Sequence, residues 1–571
     1  MEDADFELYN DDNEEHKSLR KVPGRLNWML FAVCVVEMGE RFVYNGISGP
    51  LQNYVQNPYP HNPAGIPGAL GRGQSTGVAL SNFFKFWAYF CTVIGAVVAD
   101  QYLGKFKTII WSTPIYIIGM IILVVTATPM AIKADASFGG LIAAMITIGL
   151  GTGGLKACIA PMCGEQSPTL KSYIRTNPKT GEREVVDIGL SSARVFMWYY
   201  WAANLGTLSS LGTTSLEKST GSDDFPIPEL TFTSVFIVVL AFFLIFSKHL
   251  VKVPPMGSPI VDATRTLMIV FREKSFAAAS PTTLRAKGRL EKYKFAASER
   301  YTDSYVADIR SGMMACKYFV LLPFFWLVWI QIYGNMVAQA GMMDVGNTPN
   351  DLMLTLPTIF MLAFIPLFDS EYSCRIFGQV GVGLIRSTVV LYPFLRNTFG
   401  IVLNPILRIF LGFMVASLGM LYTCVLQHFI YEAPPNSINL WVQTPAHVCI
   451  AISEIWVVIT GLEVAFIKAP PMLRAFVSSI FWLTVAVGSI LGIALSPVSK
   501  NPNMVWFYGA VCITAFIAGV LFYVWFRESI HNGTEMAGQG SVSGVLEGKV
   551  PDNSSIRSKE ITIEPKKLEA E

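Results

Sequence analysis

Twelve stretches of mainly apolar residues, each long enough to cross a lipid bilayer, constrain this chain more than any other feature. They cover residues 27–49, 79–99, 106–127, 139–160, 191–211, 230–248, 312–338, 353–369, 402–429, 444–467, 474–497 and 504–527. A helix of about 20 residues spans the hydrocarbon core, and in lipid every backbone polar group must be satisfied within the structure. Of the 571 residues 52% are hydrophobic and only 15% charged, and the mean hydropathy is +0.45, whereas a soluble domain is about 25% charged. The reading is an all-α polytopic membrane protein with twelve transmembrane helices.

Lys and Arg set the expected orientation. Lys105 and Lys107 follow the second stretch, Lys171, Arg175, Lys179 and Arg183 the fourth, a dense set from Lys248 to Lys317 the sixth, and Lys468 and Arg474 the tenth. The opposite loops hold only Arg72, Lys133, Lys218 and Lys500. By the positive-inside rule both termini and the even-numbered loops face the cytoplasm. The long sixth-to-seventh connection divides the chain, with an amphipathic helix expected over Ala286 to Arg310. The expected parts are a disordered cytoplasmic N-terminus (1–25), a six-helix bundle (26–250), a cytoplasmic linker with that helix (251–311), a second bundle (312–527) and a disordered tail (528–571). The acidic, polar Met1–Lys21 stretch does not read as a signal peptide. Nine cysteines without C-x-x-C or paired Cys/His spacing indicate neither zinc nor a disulfide framework.

Within the first stretch lies Glu37-Met38-Gly39-Glu40-Arg41-Phe42-Val43-Tyr44-Asn45-Gly46. A charge at mid-membrane costs between about 2.5 and 17 kcal/mol, so such residues usually line a pathway. Glu37, Glu40, Arg41, Tyr44 and Ser48 fall on one helical face, and two acids against one base leave a carboxyl able to hold a proton. Lys156 in the fourth stretch, Asn204 in the fifth and Glu454 in the tenth are further costly groups, with Tyr89, Trp326, Gln331 and Trp482 adding aromatic and amide character. Each alone is compatible with an interhelical hydrogen bond; together they point to a polar cavity. No ATP-binding G-x-x-x-x-G-K-S/T loop is present, because Ala157 follows Lys156 in the superficially similar run from Gly149. Energy then comes from an ion gradient, for which the intramembrane acids favour protons, or the protein is passive; no cofactor is expected. No H-E-x-x-H, paired catalytic Asp or Ser/His arrangement supports an enzyme, and His249, His428 and His447 sit near helix ends, where interfacial solvation is expected.

Gly95-Ala96-Val97-Val98-Ala99-Asp100-Gln101-Tyr102-Leu103-Gly104-Lys105 resembles the major facilitator superfamily signature G-x-x-x-x-D-x-x-G-K/R. The glycines permit close helix approach, and Asp100 and the lysines are expected to pair as an inner-face gate. The chain also resembles the proton-coupled oligopeptide transporters of that superfamily, in their fungal-type branch. The resemblance rests on E-x-x-E-R-F at Glu37 to Phe42, Gly151-Thr152-Gly153-Gly154-Leu155-Lys156, Y-x-x-x-x-N-x-G at Tyr199 to Gly206, and Ile452-Ser453-Glu454-Ile455. Lys179 to Asp187 looks like the fungal-type connector. It implies the major facilitator fold in two six-helix halves and proton-driven import of di- and tripeptides by alternating access. Carried over by position, Glu37, Glu40 and Arg41 form the proton-coupling cluster, and Lys156 meets the peptide carboxylate. Glu454 meets the amino terminus and Asn204 the backbone, while Tyr44, Asn45, Tyr89, Trp326, Gln331 and Trp482 shape the rest of the substrate site. The implied setting is the plasma membrane, with peptide, protons and lipid as partners, no nucleic acid, and a monomeric functional unit.

Several positions depart from the family pattern. Asn45 stands where a second tyrosine is usual, Ser48 where many members have arginine, Ala157-Cys158 where Pro-Asn is common, and Ile330 where an acid is common. Residues 371–390 interrupt a junction that is direct in relatives, as a genuine cytoplasmic insertion or a retained intron. Symport of another small solute, such as nitrate or a secondary metabolite, and a non-transporting nutrient sensor are the alternatives.

Overall fold

The computed structural model describes residues 7–8, 19–22, 24, 27–58, 68–166, 172–176, 181–186, 188–220, 248, 250–252, 259–293, 301–368, 405–461, 464 and 474–527. Among them, seven helices are long and apolar enough to cross a membrane: Gln74–Leu103, Lys105–Thr126, Ser137–Glu165, Pro405–Glu432, Leu440–Ile459, Val477–Val498 and Met504–Phe526. These are the expected spans 2, 3, 4, 9, 10, 11 and 12. Span 7 is a pair, Asp303–Phe319 and Leu322–Ala340, bent by 45°. Span 1 is the helix Met29–Ser48, which carries three charged residues, and span 5 is Ile188–Thr207. Span 8 is described over Leu356–Phe368. The expected sixth span, the 371–390 insertion and the tail after 527 lie outside the described residues.

Spans 2 and 4 approach almost backbone to backbone. A Cβ on Gly153 would lie 2.5 Å from the carbonyl carbon of Cys91, and one on Gly95 would lie 2.6 Å from the Gly153 carbonyl oxygen. Small residues at such a crossing supply the dispersion contact that replaces a hydrophobic driving force in lipid. This contact fixes the depth of Lys156, less than one turn further along span 4, against Tyr89 on span 2.

The two halves meet at the end of the bundle where span 1 finishes. Asn53 Nδ2 donates to Asn350 Oδ1 at 2.9 Å, and Asn350 Nδ2 donates back to Asn53 Oδ1 at 3.0 Å. Gln74 donates to Asn335 at 3.3 Å, and Ser75 donates to the Ser496 carbonyl at 2.6 Å. Both asparagines are buried, so removing one leaves the other's amide without its mate at about 1–3 kcal/mol. Asn350→Ala is therefore expected to raise backbone hydrogen exchange over Leu51–Gln56 by about tenfold; unchanged protection would show that this pair does not hold the end shut.

The expectations for the N-terminal region and the linker are corrected. The N-terminal region is not wholly disordered, because Glu7–Leu8 and Arg20–Val22 are strands flanking the hairpin Tyr173–Thr176/Arg183–Val186. The first pairs antiparallel with Tyr173–Ile174 and the second parallel with Glu184–Val186. The hairpin, rich in β-branched residues (Ile174, Val185 and Val186), would otherwise expose two unpaired edges. An amphipathic linker helix lies at Pro259–Glu273, and the helix expected over 286–310 does not continue past Ala286, while residues 294–300 lie outside the described residues. The next helix, Pro281–Ala286, ends at Gly288, whose φ of +63° cannot continue a right-handed helix. Its neighbours Ile269, Ala279, Leu284, Tyr293, Tyr301 and Val306 form a small core of their own. The linker also ends earlier than residue 311, because Thr302 caps Asp303–Cys316 by accepting from the Tyr305 amide.

His447 is buried rather than interfacial. It lies 3.3 Å from Gln443 Oε1, in an amide chain where Gln443 donates to Gln339 at 2.9 Å and Gln339 donates to Gln427 at 2.9 Å. That chain joins spans 7, 9 and 10, where a polar group without a partner would destabilise the bundle.

Candidate functional site

The charged face of span 1 meets span 4. Arg41 Nε donates to Glu37 Oε1 at 2.8 Å and lies 3.8 Å from Glu40 Oε2. Glu40 Oε1 is 3.8 Å from Lys156 Nζ. Glu37 and Glu40 are both 0% exposed, yet they are held differently. Glu37 accepts a charge-assisted hydrogen bond, which is short and strong. Neither oxygen of Glu40 has a hydrogen-bond partner among the described residues. Protonating Glu37, at its unpartnered Oε2, weakens the charge-assisted bond from Arg41 to Oε1, and protonating Glu40 weakens no hydrogen bond among the described residues.

Lys156 Nζ likewise has no hydrogen-bond partner among the described residues. It sits 4.0 Å from the centre of the Tyr44 ring and 5.3 Å from that of Tyr89. Both rings offer a negative face to the ammonium. Tyr44 is itself stacked on Phe84 at 5.0 Å, which fixes the ring beneath the ammonium.

From the second half, Trp482 stacks on Tyr89 with centroids 5.9 Å apart and planes 11° apart. Trp482 also lies 6.4 Å from Trp326, and Trp326 lies 5.5 Å from Trp329. The Trp329 indole donates to Glu454 Oε2 at 2.8 Å. The helix around Glu454 passes from α to a π turn at Ile455–Ile459, a local widening common at functional sites. Lys156 and Glu454 thus stand on opposite halves, with stacked rings between the halves.

The chain resolves into a family at this point. The profile described as "POT family" matches residues 106–379 and 384–513. The chain belongs to the POT family. A "Probable peptide transporter ptr2" of Schizosaccharomyces pombe is 37% identical over a match covering 90% of this chain and 80% of that protein. "Peptide transporter PTR2" of Saccharomyces cerevisiae is 35% identical, covering 94% and 84%. The solved structure of the POT family transporter PepTSo is 18% identical and superposes with a TM-score of 0.65 over 88% of this chain and 99% of its own. An auto-inhibited POT family peptide transporter gives 0.64 at 18% identity, covering 88% and 97%. The fold is that of the POT and major facilitator transporters, and the protein is an integral membrane protein.

In this POT-family chain the remaining expected residues are buried within the bundle. Asn204 is buried on span 5. Asn45 donates to the Arg41 carbonyl at 2.9 Å and to Thr207 at 3.4 Å, so its amide ties span 1 to span 5. Gln331 donates to the Leu327 carbonyl at 2.6 Å and accepts from Asn335 at 2.7 Å; its amide links the turns on either side of Gly334 within span 7. Trp326 is 1% exposed and its indole donates to Thr484 at 2.8 Å.

At the opposite end of the spans, Gly104 takes φ +76°, a left-handed conformation for which glycine is suited, and closes a π turn over Ala99–Leu103. Lys105 pairs with Glu165 at the end of span 4. Asp100 makes no ion pair among the described residues, so the expected Asp100–lysine contact gives way to Lys105–Glu165. The sequence reading missed Glu165, Trp329, Tyr333 and Lys85. Lys85 carried a signal, a charge within an apolar stretch; the other three acquire meaning only from their partners.

Proposed function

We propose that this chain is a proton-coupled symporter that imports di- and tripeptides by alternating access, with Lys156 receiving the peptide carboxylate and Glu454 its amino terminus. The observation that carries this reading is the placement of a cation without a hydrogen-bond partner among the described residues and a carboxylate on opposite halves across stacked aromatic rings. A zwitterion bridging the two draws the halves together, as transport by rocking of one half against the other requires. The "peptide transporter" names of the relatives support the substrate class.

Glu40 is the proton carrier. At 3.8 Å, the attraction between Glu40 and Lys156 is about 4 kcal/mol at an effective dielectric near 20. Protonating Glu40 removes it and releases Lys156 to the incoming carboxylate. Glu37 remains on Arg41 and keeps that guanidinium compensated. The proton gradient supplies the energy without a cofactor. The setting is the plasma membrane, with both termini cytoplasmic and a monomeric unit. In that orientation the Asn53–Asn350 end faces outward, and the conformation is closed to the outside.

Uptake of a dipeptide panel into acid-outside vesicles containing the full chain tests the reading. Accumulation is expected to rise as the outside is acidified. Glu454→Ala strands the peptide amine without its carboxylate, a loss of about 2–5 kcal/mol, so kcat/KM is expected to fall at least about thirtyfold. Accumulation of no dipeptide would sink the substrate assignment, and full activity in Glu454→Ala would sink the amine role.

A further inference from the structure

Span 2 carries a cation that this cycle leaves unused. Lys85 is 2% exposed and lies one helical turn before Tyr89, on the same face. Its ammonium sits 3.2 Å from the centre of the Tyr333 ring. Among the described residues it makes neither an ion pair nor a hydrogen bond. Tyr333 packs against Trp329 at 5.1 Å, and Trp329 holds Glu454. The Tyr89 ring, one turn away, is shared with Lys156 and with Trp482. Lys85 therefore belongs to the wall of the same site and lies alongside both proposed peptide-end groups.

Three cations (Arg41, Lys156, Lys85) face three carboxylates (Glu37, Glu40, Glu454) before loading; once Glu40 is protonated and a zwitterionic peptide is bound, charge balance across that site leaves Lys85 over. Arg41 is compensated by Glu37, Lys156 by Glu40 before loading and by the peptide carboxylate after it, and Glu454 by the peptide amine. An aromatic face replaces only part of the hydration that a buried ammonium gives up. The missing partner is an anion, and a peptide's two termini do not supply it, because its only terminal carboxylate goes to Lys156. A peptide with an acidic side chain brings a second one.

We propose that Lys85 is a specificity-determining residue of the peptide site, receiving the side-chain carboxylate of an aspartyl or glutamyl residue and so favouring acidic peptides. The proposal rests on the peptide reading above. Its consequence is a preference set by charge, which peptides matched in shape isolate.

The test is competition against labelled Ala-Ala uptake in acid-outside vesicles containing the full chain. Competitors are Ala-Asp and Asp-Ala, each beside its neutral near-isostere, Ala-Asn or Asn-Ala. The wild-type protein is expected to bind at least one acidic member at least about tenfold more tightly than its amide. Lys85→Met is expected to bring that ratio to about one, and Lys85→Arg to keep it above about threefold. Equal inhibition by acid and amide in the wild type, a comparison that needs no variant, overturns the proposal. So does a Lys85→Met protein that keeps the wild-type ratio, or one that loses both members of a pair equally, which would make Lys85 only a brace between spans 2 and 7. A wild-type protein that transports Ala-Ala without discriminating acid from amide sinks Lys85 alone; one that transports no dipeptide sinks the peptide reading itself.

Discussion

Glu40→Gln is expected to abolish accumulation against a gradient and to leave peptide affinity independent of external pH. The amide mimics the protonated carboxyl, so Lys156 loses its 3.8 Å counter-charge permanently. Peptide should then bind at neutral pH about as well as it binds the wild type in acid, and uptake should stop at equilibration. The effect on the accumulation ratio is expected to exceed about a hundredfold under a strong inward proton gradient. Labelled-peptide accumulation and binding, each measured from pH 5 to pH 8, check it, and a wild-type response of accumulation to acidification would remove Glu40 from the coupling step. Glu37→Gln has a different expected signature. It weakens the 2.8 Å bond to Arg41, leaving a guanidinium that is 28% exposed short of compensation; loss of a fully buried pair costs about 3–5 kcal/mol, and partial exposure lowers that cost. Loss of folded protein should therefore precede any change in coupling.

Gly153→Leu is expected to prevent assembly of the first half. The added Cβ alone would stand 2.5 Å from the backbone of Cys91, and backbone on both sides offers no rotamer escape. Overpacking commonly costs about 1–3 kcal/mol and occasionally more; here relief requires separating spans 2 and 4, so at least about 3 kcal/mol is expected. That is a large share of a typical stability of about 5–15 kcal/mol. Gly139, in the same helix, has open space around its would-be Cβ, which makes Gly139→Leu the matched control. Detergent-solubilised protein should elute as a monodisperse peak for the control and be lost or aggregated for Gly153→Leu. Equal recovery of the two would show that the crossing tolerates several ångströms of separation.

The helical face of span 1 was legible because it depends only on spacing. Glu37, Glu40, Arg41 and Tyr44 fall within two turns, and the structure keeps Glu37 against Arg41 at i and i+4. Lys156 and Glu454 were legible as costly groups in apolar stretches, but their mutual role entered through the family resemblance. The seventh span shows where such reading stops. Trp326 and Trp329 lie three residues apart in one aromatic run, and nothing local says which faces the carboxylate. Packing against Thr484 takes one indole and Glu454 the other. Asn45 and Gln331 looked available to a ligand, and both turned out to be held by backbone carbonyls.

By itself the sequence determined the membrane class, most of the span boundaries and the charged face of span 1. These follow from the free energy of placing each residue in lipid and from the period of one helix, both of which accumulate along a continuous stretch. Partner choice was decided only in three dimensions. Lys105 meets Glu165 rather than Asp100, Lys85 meets the ring of Tyr333, and a terminal segment completes a sheet on a distant hairpin. Charge interaction and packing depend on distances between helices far apart in the chain, and those distances are set by contacts such as the Gly95–Gly153 crossing rather than by the residues whose partners they choose.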